Sequence, residues 1–501
     1  MKTKIYLFIL PLLALMVSCE KQLDQTPVSS ITTENFYSNN NDFLQGVNGA
    51  YAQLSAYPSQ ALWLGEMRSD NINATSDGNR DWDGVNNFSP NITTVGFITN
   101  AWKNNFNGIY NANNVLQALE TKSSVIGDES LVKRYTAECR FLRAFYYFQL
   151  LRLYGQVPIL STVKSATEVN TIPRSPVADV YTFIEADLKY AADNLPATYA
   201  VNNSTINIGR VTSYAAKGIL GLVYLTKSGP DYGINGPGLN SNEYSKAAAL
   251  FDEIISGGAY SFIENYTSIF SYSNENNSEV VFDVQFASSI NGAGFPSHLA
   301  PVAFWTGQGI SNAYGNGYGS STFPVTASLV KSYTTNTVSG TDLRYAFNVA
   351  TTYTKGPFIK KYIDISKKGT NGTDWPINFI VLRYTDILLM KAECILHGTA
   401  GTQADVDAVV NKVRARAGVG ALSNVTLTTL MEERQREFLG EGLRWNDLVR
   451  SGLAVTKMNA WRIADGITKI NEIVANYVIY PVPAAELQTT PGLYLQNPGY
   501  N

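Results

Sequence analysis

Residues 131–154, LVKRYTAECRFLRAFYYFQLLRLY, constrain the fold more than any other stretch of the chain. The spacing predicts a helix over Ser130 to Tyr154, and from Phe141 onward it is apolar nearly all round, so it has to run through the middle of a helical body rather than along its surface. Gly155 and Pro158 supply the stop. Weaker helical periodicity recurs at Phe36 to Leu54, Ala101 to Glu120, Val177 to Asn194, Thr212 to Lys227 and Glu243 to Ser256, and again at Arg383 to His397, Ala404 to Ala417 and Leu427 to Val449. Between the two groups, residues 260–376 carry short β-like runs, Glu279 to Phe286 and Phe358 to Ile363, broken by Gly, Asn and Ser. Tyr477 to Pro481 reads as one more short strand. Tyr57 to Thr99, rich in Asn, Asp and Gly, reads as a long excursion of loops, a feature that often carries function.

The first residues, MKTKIYLFILPLLALMVSCEKQLDQ, place Lys2 and Lys4 ahead of an apolar run that is too short for a comfortable bilayer span. Leu15-Met16-Val17-Ser18-Cys19 resembles a bacterial lipobox, which implies a signal peptide over 1–18 and acylation of Cys19. More than one acyl chain suffices for stable anchoring. Polar residues 19–33 form the anchor and tether, 34–259 an N-terminal helical region, 260–376 a loop-rich insertion, and 377–501 a C-terminal helical region. Of the three cysteines, Cys139 and Cys394 lie in helical patterns and read as buried free thiols, not a disulfide framework. With 38 basic and 41 acidic residues the net charge is −3, so nothing favours nucleic acid as a partner.

AAKGILGLVYLTKSG followed by EYSKAAALFDEIISGG sets small residues at helix crossing points, as in a tetratricopeptide hairpin with a lengthened loop. Four further segments resemble the SusD/RagB family of nutrient-binding outer-membrane lipoproteins: ECRFLRAFYYFQLLRLYGQVPI, FIVLRYTDILLMKAECI, VNKVRARAG and EERQREFLGEGLRWNDLVRSG. The closing YPVPAAELQTTPGLYLQNPGY is similar to the family's usual ending. The resemblance implies a mainly α, SusD-like fold of tetratricopeptide-like helix pairs with a large insertion bearing short strands. It also implies a lipid-anchored, surface-exposed place at the outer membrane, a SusC-like TonB-dependent transporter as partner, and capture of oligosaccharide, or in some relatives peptide, without catalysis.

Catalytic constellations are scarce. His298 and His397 are the only histidines, HExxH spacing is absent, and neither GxSxG nor GxxxxGK[ST] occurs. Glycoside hydrolysis needs only two facing carboxylates, so Asp81 with Asp83 and Glu433 with Glu437 are its candidates. Arg434, Arg436 and Arg444 lie close enough in sequence to neutralise the Glu pair, and the family resemblance assigns it to a structural ion-pair network. Arg140 and Arg143 flank aromatic residues and could grip a carboxylate ligand, whereas the family resemblance implies an internal salt bridge. No cofactor is expected, and a structural calcium has no EF-hand-type loop to support it.

Sugar recognition requires a flat aromatic platform beside planar hydrogen-bonding groups. Two segments supply both. EMRSDNINATSDGNRDWDG sets Trp82 among Arg68, Asp70, Asn71 and Asp81; FPSHLAPVAFWTGQGISNAYGNGYG carries Trp305, Tyr314 and Tyr318. Trp82 and Trp305 are read as ligand contacts from their polar, Gly-rich surroundings. Trp102, Trp445 and Trp461 default to packing, and Trp63 and Trp375 fall below Trp82 and Trp305 as ligand contacts. The readings left open are a peptide-capturing or architectural subunit and a secreted glycosidase.

Overall fold

A computed structural model of the chain describes residues 36–75, 80–199, 207–314, 323–335, 341–353 and 356–501; Cys19, the tether before residue 34 and Tyr318 lie outside them. The fold is mainly α. Its principal helices are α1 (Asn40–Ala52), α2 (Gly96–Lys122), α3 (Glu129–Tyr154), α4 (Val177–Asn194), α5 (Ser213–Ser228), α6 (Tyr244–Ser256), α7 (Tyr384–Leu396), α8 (Gln403–Arg416), α9 (Leu427–Glu437) and α10 (Arg444–Arg450). Each of α2 to α8 packs on its neighbour in the chain, with α6 crossing the insertion to meet α7.

Helix α3 is the axis that its composition requires. Every residue from Phe141 to Tyr154 is buried, and the hydroxyls this brings inside are satisfied: Tyr146 donates to the Ala50 carbonyl at 2.7 Å and Tyr154 to that of Ile98 at 2.5 Å. Asp128 caps its first turn. At its end Gly155 takes φ +69°, and a side chain there would collide with the Asn235 carbonyl. In the α5–α6 hairpin Gly221 lies against the Phe251 ring with no space for a Cβ, the close crossing that the tetratricopeptide pattern calls for.

Strands are few. Among the described residues β1 (Val280–Val284) pairs antiparallel with β4 (Phe379–Arg383), and β2 (Val349–Ala350) with β3 (Phe358–Ile359). Three expectations need correction. Tyr477 to Pro481 is not a strand: a 3-10 turn covers Ala475–Val478, and Tyr480 turns its N–H to the Leu153 carbonyl at the end of α3 instead of to a sheet. Leu427 to Val449 is two helices, broken where Gly440 and Gly442 adopt φ +85° and +76°. Their N–H groups, freed from the helix, both donate to Glu66 Oε1, at 3.0 and 2.8 Å. Finally, Tyr57 to Thr99 is no loose excursion. It folds through a short helix at Tyr57–Ala61, a π-helical turn at Leu62–Glu66 and a helix at Asp81–Asn86, and residues 61–72 are all buried.

Candidate ligand-binding site

Most of the sequence-predicted contacts are inside the protein. Arg68 is fully buried and donates to the carbonyls of Val85 and Tyr477 and to the Tyr500 hydroxyl. The Asp70 carboxylate receives both arms of Arg444 at 2.7 Å, so Arg444 serves Asp70 and not the Glu433–Glu437 pair. Asn71 donates to Glu66 at 2.6 Å and accepts from Gln435 at 2.9 Å. Trp82 is 2% exposed, stacked on Trp63 and edge-on to Phe323. Trp305 is 0% exposed and packs with Trp375 and Tyr314, whose hydroxyl donates to the Gly369 carbonyl. Neither indole offers a free face, which corrects the exposed-platform reading of Trp82, Trp305 and Tyr314. The segment 66–71 likewise ties helices together and does not face a groove. Asp81 is the described member with an exposed side chain, and it accepts the Gly96 N–H at the start of α2.

The Glu433–Glu437 pair also resolves into frame. Glu433 meets Arg344 at 2.7 Å, Arg414 at 2.9 Å and Arg436 at 2.8 Å; Glu437 meets Arg344, Arg383 and Arg416 at 3.0, 2.8 and 2.7 Å. Arg434 belongs instead to Asp386 and Asp447. Burial opposes the Glu433 charge, but the Arg344 and Arg436 guanidiniums outweigh it and hold the carboxyl at about 2. A permanently ionised, fully paired carboxylate cannot serve as a general acid at neutral pH. Arg143 grips Asp187 through two bonds of 2.7 and 2.9 Å, the internal bridge expected of it, and Arg140 lies over the Tyr190 ring. Cys139 and Cys394 are buried free thiols. Among the described residues no cluster of three or more His, Cys, Asp or Glu is placed to hold a metal ion.

An open groove lies elsewhere, between α1 and β1, as two adjoining cavities of about 500 and 310 Å³. Its first cavity has Leu44, Asn48, Tyr51 and Leu54 on one wall and Asp283, Gln285 and Asn291 on the other. The second is lined by Tyr199, Tyr260, Asn276 and Asn277. Ile208, Gly209 and Arg210 line both. Gly209, at φ +76°, passes so close to Gln285 that no Cβ fits. Arg210 spends its charge on Glu138 at 2.7 Å and its second arm on the side-chain amide oxygen of Asn48 at 2.8 Å. On the floor, Asp283 accepts from the amides of Gln285 at 2.5 Å and Asn378 at 3.1 Å. Burial pushes its carboxyl up to about 7, the amide hydrogen bonds offsetting only part of that rise. The lining therefore combines tyrosine rings and aliphatic side chains with planar amides, and among the described residues Asp283 is its one carboxylate.

A sequence profile described as "Starch-binding associating with outer membrane" matches residues 21–225, and the SusD family profile matches residues 306–500. The chain belongs to the SusD family. Along its length it is 26% identical to SusD-like protein P2 of Formosa agariphila, over 98% of each chain. A solved laminarin binding SusD-like protein superposes with a TM-score of 0.74 at 26% identity, over 93% of this chain and 100% of that one. Surface glycan-binding protein A from Bacteroides thetaiotaomicron, in complex with laminarihexaose, gives 0.76 at 22% identity, over 92% and 100%. Within this SusD-family fold, the groove residues Asn48, Tyr51, Arg210, Asp283 and Gln285 escaped the sequence reading. A signal existed for two of them: in VVFDVQF, Asp283 and Gln285 sit two apart amid otherwise apolar residues, a spacing that puts both on one side of an extended run.

Proposed function

We propose that this protein is a cell-surface lipoprotein that binds an oligosaccharide or polysaccharide nutrient without cleaving it and passes it to a SusC-like TonB-dependent transporter. The observation that carries the reading is the match, over nearly the whole chain, to a laminarin binding SusD-like protein. The α1–β1 groove supports it with amides for hydroxyls and tyrosines for C–H faces. Acyl chains on Cys19 would hold the binder beside its transporter, raising the effective concentration of a weak ligand there.

Titration calorimetry of the soluble Cys19→Ala protein with laminarin, starch and their hexasaccharides is the test. Saturable binding with no new reducing ends is expected, and cells carrying Cys19→Ala are expected to lose uptake although the protein's affinity in solution is unchanged. Release of reducing sugar by the purified protein would overturn the non-catalytic reading.

A further inference from the structure

Helix α2 presents a stripe that the groove does not use. Tyr110, Asn114, Gln117 and Thr121 follow at intervals of four, three and four residues, which places them on one helix face. They line a cavity of about 320 Å³ closed on its other side by Tyr37 and Val163. Tyr110 is 51% exposed, and its ring meets no other aromatic ring among the described residues. Asn114 is fixed by its amide nitrogen, which donates to the Tyr110 carbonyl at 2.9 Å and leaves the side-chain oxygen as an acceptor. Gln117 is exposed, and its amide makes no hydrogen bond among the described residues. Tyr37 is held rigid against Phe36 and Phe43. Gln117 also lines an adjacent cavity of about 210 Å³, so the surface continues past the stripe.

These are the two halves of a sugar contact: a ring with an open face, and planar amides one and two helical turns along. A pyranose laid on Tyr110 would set its C–H face against the ring and its hydroxyl rim toward Asn114 and Gln117. Among the described residues Lys122 is the one charged side chain lining the cavity, at its far end, and the stripe itself presents neutral groups. No lining residue is shared with the α1–β1 groove.

We propose that the Tyr110–Asn114–Gln117 stripe of α2 is a second contact site for an uncharged glycan chain, separate from the groove and engaged by a different stretch of the same polymer. The proposal rests on the glycan-binding reading above. Two weak contacts on one polymer multiply into avidity, whereas a short oligomer senses each site alone.

The experiment compares wild type, Tyr110→Ala and Tyr110→Phe by calorimetry against laminarin, starch and their hexasaccharides, with melting temperature as the folding control. Tyr110→Ala should lower affinity for the polymer by about tenfold or more and convert a two-site hexasaccharide isotherm to one site, at unchanged melting temperature; Tyr110→Phe, which keeps the ring, should behave as wild type. One-site binding by wild type, or wild-type binding by Tyr110→Ala, overturns the second site and leaves the function standing. Wild type binding no glycan overturns both.

Discussion

Glu433 in α9 and Asp283 in β1 are both buried carboxylates, yet one is held at about 2 and the other pushed up to about 7. Around Glu433 stand three guanidiniums; around Asp283 stand the amides of Gln285 and Asn378. Amides hydrogen-bond a carboxyl without cancelling its charge, so desolvation wins at Asp283 and loses at Glu433. The protein thus separates two uses of polar residues. Charge is buried in complementary networks that join α8, α9 and the insertion, and the open groove is surfaced mainly with amides, tyrosines and aliphatic side chains, the Arg210 charge there being spent on Glu138. A surface made mostly of neutral hydrogen-bonding and aromatic groups suits a ligand that carries no charge.

The largest break in this comparison should come from Glu437→Gln, which leaves Arg344, Arg383 and Arg416 short of a counter-charge inside the frame. Removing one member of a buried ion-pair network costs on the order of 3–5 kcal/mol, readable by urea denaturation; a loss below about 1 kcal/mol would mean the network behaves like surface pairs. The pH response should be opposite in sign at the two carboxylates. The contribution of Glu433 is present above the unfolded carboxyl range and lost as pH falls from 4.5 toward about 2. That of Asp283 is present below pH 3.8 and lost as pH rises through about 7. Asp283→Asn should therefore remove a decline approaching about 1.4 kcal/mol per pH unit across that interval and stabilise the protein at pH 8. A wild-type-like pH profile for Asp283→Asn would place the carboxyl in a wetter setting than the groove floor. The smallest effect on stability belongs to Ala52→Trp, an exposed position on α1 at the groove. Oligosaccharide affinity in the groove should fall about tenfold with no change in melting temperature, and unaltered binding would show that sugar does not enter there.

How much was readable in advance tracks how local the determining interaction is. Helix α3 was legible almost to the residue, because fourteen consecutive buried positions leave a helix no other place to lie. That Glu433 and Glu437 belong to ion pairs was legible from the mixed charges around them, but not the partners: Arg344 and Arg383 come from the insertion and β4, whereas Arg434 and Arg444, near the pair in sequence, point to Asp386, Asp447 and Asp70. Trp82 and Trp305 misled because a Gly-rich, polar sequence says nothing about what docks over it; Phe323 closes on the first and Trp375 on the second from far along the chain. The groove has the same origin. Asn48 and Tyr51 look like ordinary α1 positions until the Ile208–Arg210 turn crosses opposite them.

The Glu66 carboxylate is closed by the backbone of Gly440 and Gly442, and Gly65 lies so tightly on the Gly442 carbonyl that a side chain would not fit. Those partners are separated by some 370 positions, so the N-terminal helices cannot bury Glu66, Arg68 and Asp70 at a favourable free energy until nearly the whole polypeptide is available. A chain emerging N-terminus first therefore cannot complete the packing around Glu66 until Gly440 and Gly442, near its far end, are available to close it.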